Sequence, residues 1–173
     1  MTNPLLSRRT LLVGGLGLAS VGALSACTSS GGNKAGMPSR TFGAPSSVSP
    51  SAGQKVVEAS LTARPATLDL AGRQVSTWAY GEAAPGPLVR ATAGDFLRVT
   101  LDNQLPADTT IHWHGIRLRN SADGVPGLTQ GPVKPGAKYV YESTAPDPGT
   151  YFFHPHVGVQ LDRALYAPMV IDD

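Results

Sequence analysis

All four histidines of the chain fall in two His-X-His pairs, His112-Trp113-His114 and His154-Pro155-His156. On an extended strand, residues i and i+2 project from one face, about 6.6–7 Å apart at Cα. Two imidazoles so placed can grip one metal ion or straddle two neighbouring ions. Imidazole nitrogen suits zinc, copper, iron and nickel, and a ligating ring is neutral, with its second nitrogen hydrogen-bonded. A lone histidine is ordinarily a satisfied core or surface residue. Two such pairs, each closing a β-rich run, point to a metal site. Trp113 is expected to point to the opposite face and pack there. Pro155 has no amide to donate, so the second pair belongs at a strand end or an edge.

Strands must carry these pairs, and the surrounding sequence is written for them. Short runs rich in Val, Thr, Tyr and Leu recur between turn residues at 55–62, 74–80, 86–91, 95–102, 109–113, 138–143, 150–154 and 165–171. In Phe96-Leu97-Arg98-Val99-Thr100-Leu101 the apolar Leu97, Val99 and Leu101 share one face, while Arg98 and Thr100 take the other. Gly- and Pro-bearing turns such as Val133-Lys134-Pro135-Gly136 and Asp147-Pro148-Gly149 punctuate the series. No stretch shows ten residues of clean helical periodicity, and a short helix is predicted only at 159–164. The expected fold class is all-β, a sandwich or barrel.

The chain has 173 residues, 20 Gly and 15 Pro, and a single Cys, so a disulfide-stapled fold is excluded. There are 14 Lys and Arg against 12 Asp and Glu. Arg8 and Arg9 lie in a segment read as removable, and Lys34 and Arg40 lie in a linker. The compact part therefore carries ten basic against twelve acidic residues, which excludes nucleic-acid binding through a basic face.

Ser7-Arg8-Arg9-Thr10 precedes a Gly- and Ala-rich apolar run over 11–26, which is short for a membrane span of about 20 residues. A charged start with a short apolar stretch reads as an export signal. The arginine pair resembles a twin-arginine signal, the competing reading being a chance pair before a general secretory signal. Leu24-Ser25-Ala26-Cys27 resembles a bacterial lipobox, making Cys27 a lipid anchor rather than a metal ligand. Residues 28–53 hold seven Ser, five Gly and three Pro, a composition that buries too little apolar surface to order itself. The expected organisation is a signal at 1–26, a lipidated cysteine and flexible linker at 27–53, and one domain at 54–173. The expected location is the outer face of the cytoplasmic membrane, through the lipid.

Three stretches, PGPLVRATAGDFLRVTLDNQLPADTTIHWHGI at 85–116, DGVPGLTQGPVKPGAKYVYE at 123–142 and DPGTYFFHPHVGVQLDRALYAPMVIDD at 147–173, resemble the first cupredoxin domain of laccase-like multicopper oxidases. The resemblance covers essentially all of 54–173 and keeps both His pairs in order and context. It implies a Greek-key β-sandwich of the cupredoxin (plastocyanin-like) type and copper as cofactor. It also implies one-electron oxidation of a reducing substrate coupled to reduction of dioxygen to water at a three-copper cluster held by eight histidines. His112 would ligate the type-2 copper, and His114, His154 and His156 the type-3 pair. Asp123 would be the carboxylate beside the cluster; its plainer reading is a turn residue before Gly124.

The departures carry equal weight. The family's last domain brings a His-Cys-His run and four further cluster histidines, and no such run occurs here. A type-1 copper site needs a thiolate, and the one cysteine belongs to the lipobox. The resemblance therefore implies a fragment, a truncated product or a split protein whose partner is a C-terminal cupredoxin domain. The alternative is a non-enzymatic envelope protein that binds or buffers copper; a third reading, a relative that has abandoned copper, fits poorly with four retained histidines. A nitrite reductase would carry the type-1 cysteine here. A hydrolase would show a Gly-X-Ser-X-Gly turn, which is missing.

Overall fold

Alternation in β4, Phe96–Asn103, is the clearest case of sequence becoming structure. Leu97, Val99, Leu101 and Asn103 are buried, and Arg98, Thr100 and Asp102 lie between them half-exposed. A computed structural model describes residues 48–173. The expected signal at 1–26, Cys27 and the linker as far as residue 47 lie outside the described residues.

Among the described residues, eight strands form two four-stranded sheets. The first sheet has the order β2-β1-β4-β6 and the second β3-β8-β7-β5. Besides β4, these are β1 (Val56–Leu70), β2 (Arg73–Tyr80), β3 (Val89–Thr92), β5 (His112–His114), β6 (Lys138–Thr144), β7 (Gly149–His154) and β8 (Ala167–Asp172). Two pairings are parallel, β1 with β4 and β3 with β8; the others are antiparallel. Leu61, Val99, Leu101 and Tyr141 of the first sheet pack into one buried cluster with Val89, Trp113, Phe153, Met169 and Ile171 of the second. This is the all-β, cupredoxin-type sandwich that the sequence leads one to expect.

Each expected strand is present, with shifted ends. β1 is much longer than 55–62, because the chain runs on through Pro65. A proline normally stops a strand. Here β4 pairs β1 only as far as Ala63, and beyond that β1 pairs β2 alone. Pro65 thus sits where one edge of the strand has no neighbour and needs no amide. β5 is shorter than 109–113: Thr109 makes an isolated bridge to Val133, and the ladder begins at His112. The helix expected at 159–164 is a single 3-10 turn, Leu161–Arg163, ended by Ala164 at φ 73°.

Candidate metal centre

The two His pairs are neighbours because β5 and β7 pair antiparallel. His112 lies directly opposite His154, Trp113 opposite Phe153, and His114 opposite Phe152. Residues directly opposite share a face, so His112, His114, His154 and Phe152 form one side of this ribbon. Trp113 and Phe153 form the other side and are buried in the core, with ring centroids 5.3 Å apart. Tyr141 meets Trp113 edge-on at 5.9 Å and accepts the Ile111 amide proton at 2.8 Å, which ties the start of β5 to the first sheet. Pro155 falls one residue beyond the end of β7.

The ligand nitrogens of His112, His114 and His154 all lie within 4.8 Å of one another. His156, past the proline, stands beside this trio. Its ring centroid is 4.4 Å from that of His112 and 5.3 Å from that of His154. The structure therefore gathers all four sequence-nominated histidines, three in a tight group and the fourth against it.

Hydrogen bonds decide which nitrogens are free. His112 Nδ1 donates to the Asp123 carbonyl oxygen at 2.9 Å, with Asp123 Oδ1 3.2 Å away. His154 Nδ1 donates to the Pro155 carbonyl oxygen at 3.0 Å. In neutral rings, both keep Nε2 as a lone pair, the arrangement that metal-bound histidine needs. Burial, reinforced by the neighbouring imidazoles, holds His154 below the ordinary imidazole range, and the same causes lower His156. His114 Nδ1 faces His154 Nε2 at 3.1 Å. Two nitrogens bound to one ion at about 2.0 Å with tetrahedral angles stand about 3.3 Å apart. That spacing serves an N–H···N hydrogen bond from His114 to His154 and equally two ligands of one ion, and a donor set of four imidazoles fits copper.

Asp123 follows the 3-10 turn Asn120–Ala122, and its place depends on Gly124. Gly124 has φ 72°, and a Cβ there would overlap the Ile111 carbonyl oxygen. Backbone thus lies on backbone at this point, and Asp123 is pressed against the residue next to Ile111. Phe152 stacks on His114 with centroids 4.6 Å apart and on His154 at 5.2 Å, fencing one side of the group.

Several supporting residues had no signal in the sequence. Phe152 follows from the ladder register, and the Pro155 carbonyl from the chain's turn after β7. Thr109, Thr110 and Gln160 are buried polar residues, Thr109 bonded to Gln160 and Thr110 to the His156 backbone amide. Gln160 is about fifty residues from its partners, and nothing local marks it. The Asp123-Gly124 dipeptide carried a turn signal but not its partner.

A family model described as multicopper oxidase matches residues 62–173. The multicopper oxidase MmcO of Mycobacterium tuberculosis is 47% identical over 169 residues, covering 96% of this chain and 32% of that protein. Copper resistance protein A of Pseudomonas syringae pv. tomato is 41% identical over 105 residues, covering 61% of this chain and 17% of that protein. Among solved structures, the multi-copper oxidase from Pseudomonas thermotolerans superposes with a TM-score of 0.66 at 40% identity, over 69% of this chain and 30% of that one. The laccase from Botrytis aclada gives 0.67 at 34% identity, over 69% of this chain and 23% of that one. The chain spans about a third or less of the length of each of these relatives. The matched stretch contains both histidine pairs and Asp123 on a shared sandwich fold, and the chain belongs to the multicopper oxidase family, whose cofactor is copper.

Proposed function

We propose that this chain is the copper-binding first cupredoxin domain of an exported multicopper oxidase. It supplies half of the ligands of the copper cluster: His112 to the type-2 copper, and His114, His154 and His156 to the type-3 pair. The observation that carries the reading is the 3.1 Å approach of His114 Nδ1 to His154 Nε2, with the second nitrogens of His112 and His154 already committed to Asp123 and Pro155.

Copper bound here would supply one-electron steps between a reducing substrate and dioxygen. The chain's own residues do the rest. Asp123 and the Pro155 carbonyl hold protons on the Nδ1 atoms of His112 and His154, so both rings present Nε2. For His114 Nδ1 and His154 Nε2 to face one cation, His114 must carry its proton on Nε2. The Asp123 carboxylate would add negative charge beside four imidazoles, which as ligands supply none. Phe152 restricts water on one side of the group.

The remaining ligands and the thiolate-bearing type-1 site would come from a C-terminal cupredoxin domain, the partner this reading requires. Arg8 and Arg9 would direct export and Cys27 would take a lipid, leaving the domain tethered outside the cytoplasmic membrane by the 27–53 linker.

The test is copper titration of the full chain by calorimetry and electron paramagnetic resonance, with oxygen uptake measured beside a phenolic substrate. The expected result is copper binding with a type-2-like spectrum, no intense blue thiolate band, and no oxidase turnover by the chain alone. Four imidazoles can satisfy one ion but cannot close a cluster built from eight. Binding that survives replacement of all four histidines by Ala would refute the reading, as would enzyme-like oxygen consumption by this chain. Copper binding that never supports turnover, even with the family's C-terminal domain supplied, would favour a copper-buffering protein.

A further inference from the structure

His156 is the one histidine of the four that no strand holds. β7 ends at His154, and the segment that follows runs free of either sheet until β8 begins at Ala167. Its position still has a physical cause. Gln160, four residues on, is 5% exposed, and both ends of its side-chain amide are hydrogen-bonded. Gln160 Nε2 donates to the Asp108 carbonyl oxygen at 2.7 Å, and Gln160 Oε1 accepts from the Thr109 hydroxyl at 2.7 Å. Thr109 is itself immobilised, exchanging backbone hydrogen bonds with Val133 at 3.0 and 2.9 Å. The Gln160 amide also donates to the Val157 carbonyl oxygen at 3.2 Å, closing the turn that begins just after His156. Nearer the histidine, the His156 backbone amide meets Thr110 Oγ1 at 3.4 Å. Beyond it, Thr77 Oγ1 donates to the Arg163 carbonyl oxygen at 2.8 Å, so the far end of the segment is pinned to β2.

We infer that Gln160 and Thr109 form a buried latch that positions His156 against His112, and that they act on the metal site through His156 alone. The latch is an attachment separate from the β5/β7 ladder. The ladder sets His154 opposite His112; the latch returns the chain after Pro155 to residues 108–109, just ahead of the same strand. Both ends of the second pair are thus referred to the strand that carries the first. The Thr109–Gln160 bond is buried, so breaking it leaves its partner unsatisfied rather than rehydrated. Residues that orient metal ligands typically change metal affinity by about 10–100-fold when removed. The effect on copper rests on the copper reading above; the effect on the ring position does not.

Two measurements on the full chain test this. In the metal-free chain, a nuclear Overhauser effect is expected between the rings of His112 and His156, whose centroids are 4.4 Å apart. It should be lost in Gln160→Met and in Thr109→Val, which keep volume and remove the hydrogen bonds, and kept in Thr109→Ser, which retains the hydroxyl. Either variant suffices should the other fail to fold. In copper titration, Gln160→Met should weaken binding about tenfold or more in the parent chain and change nothing further in a His156→Ala background. An unchanged ring contact in Gln160→Met and Thr109→Val overturns the latch. So does an equal loss of affinity with and without His156, which would mark a general loss of stability. If His156→Ala leaves copper binding intact while the ring contact behaves as described, His112, His114 and His154 hold the ion without it and the coupling to metal fails, but the latch as a device holding His156 stands. Binding that survives loss of all four histidines is the separate result that overturns the copper reading.

Discussion

His112 and His154, forty-two positions apart in sequence, are directly opposed partners in the β5/β7 ladder, with ring centroids 5.6 Å apart. That one register relation makes two separate His-X-His pairs a single group. A slip of one residue would turn either pair into the core and bring Trp113 or Phe153 outward. The burial of these two aromatic rings is therefore what locks the histidines of β5 and β7 in register.

Replacing Trp113 by Ala should accordingly harm both stability and the site. Trp113 is 3% exposed and packed between Phe153 and Tyr141. Large-to-Ala changes of this kind cost about 3–5 kcal/mol. Denaturant unfolding of the full chain measures this, and a loss under about 1 kcal/mol would mean that the register is held by something else.

Gly124→Ala should be more damaging than its size implies. The position requires φ 72°, and the new Cβ would strike the Ile111 carbonyl oxygen. Left-handed backbone costs a non-glycine residue about 1–2 kcal/mol, and the steric overlap adds to it. We expect a loss of about 3 kcal/mol in chemical unfolding, with the His112 ring resonances shifted as Asp123 moves. Gly127, which has φ 79° but no atom near its Cβ position, is the control, and Ala there should cost only the backbone part.

Asp123→Ala should weaken copper binding only modestly. The shorter contact to His112 Nδ1 comes from the Asp123 backbone carbonyl, at 2.9 Å, and a side-chain change leaves it in place. What disappears is the carboxylate oxygen at 3.2 Å. The expected loss is about tenfold, the low end for groups behind a metal ligand. A loss of several hundredfold in calorimetric titration would show that the carboxylate, not the carbonyl, holds the ring.

Acid should destabilise the fold partly through Asp95. The Thr92 backbone amide, 2.8 Å from its carboxylate, holds Asp95 below the ordinary aspartate range of about 3.8; burial opposes this, and Lys55 adds to the lowering. The folded-state value is depressed, so the stabilisation is fully present above the unfolded value and is lost as pH falls through the folded one. Stability measured from pH 5 downward should therefore fall less steeply in Asp95→Asn than in the parent. Parallel slopes would remove Asp95 from the account.

Export and anchoring are tested in cells. Cys27→Ala should release the protein from the membrane fraction, and Arg8→Lys combined with Arg9→Lys should block export. A Cys27→Ala protein still in the membrane fraction would overturn the lipobox reading. Undiminished export of the double Lys variant would point to a general secretory signal.

Composition and local pattern determined a good deal by themselves. Strand alternation, as in Phe96–Asn103, is a property of consecutive residues, and so the eight strands were legible with only their ends misplaced. The i, i+2 spacing of each His pair is equally local, so metal chemistry could be read from it before any fold was known. The proposed export signal and lipobox would be read linearly by other proteins and need no fold at all. The tertiary structure decided what depends on distant partners. Pro65 remains in a strand because β4 ends its pairing at Ala63, a fact of sheet layout. Asp123 reaches His112 because Gly124 lets two backbones touch. The place of His156 depends on a glutamine that binds residues more than fifty positions earlier. Short-range periodicity reports which face a residue takes; only closure of the two sheets brings those faces, and the buried polar groups between them, into contact.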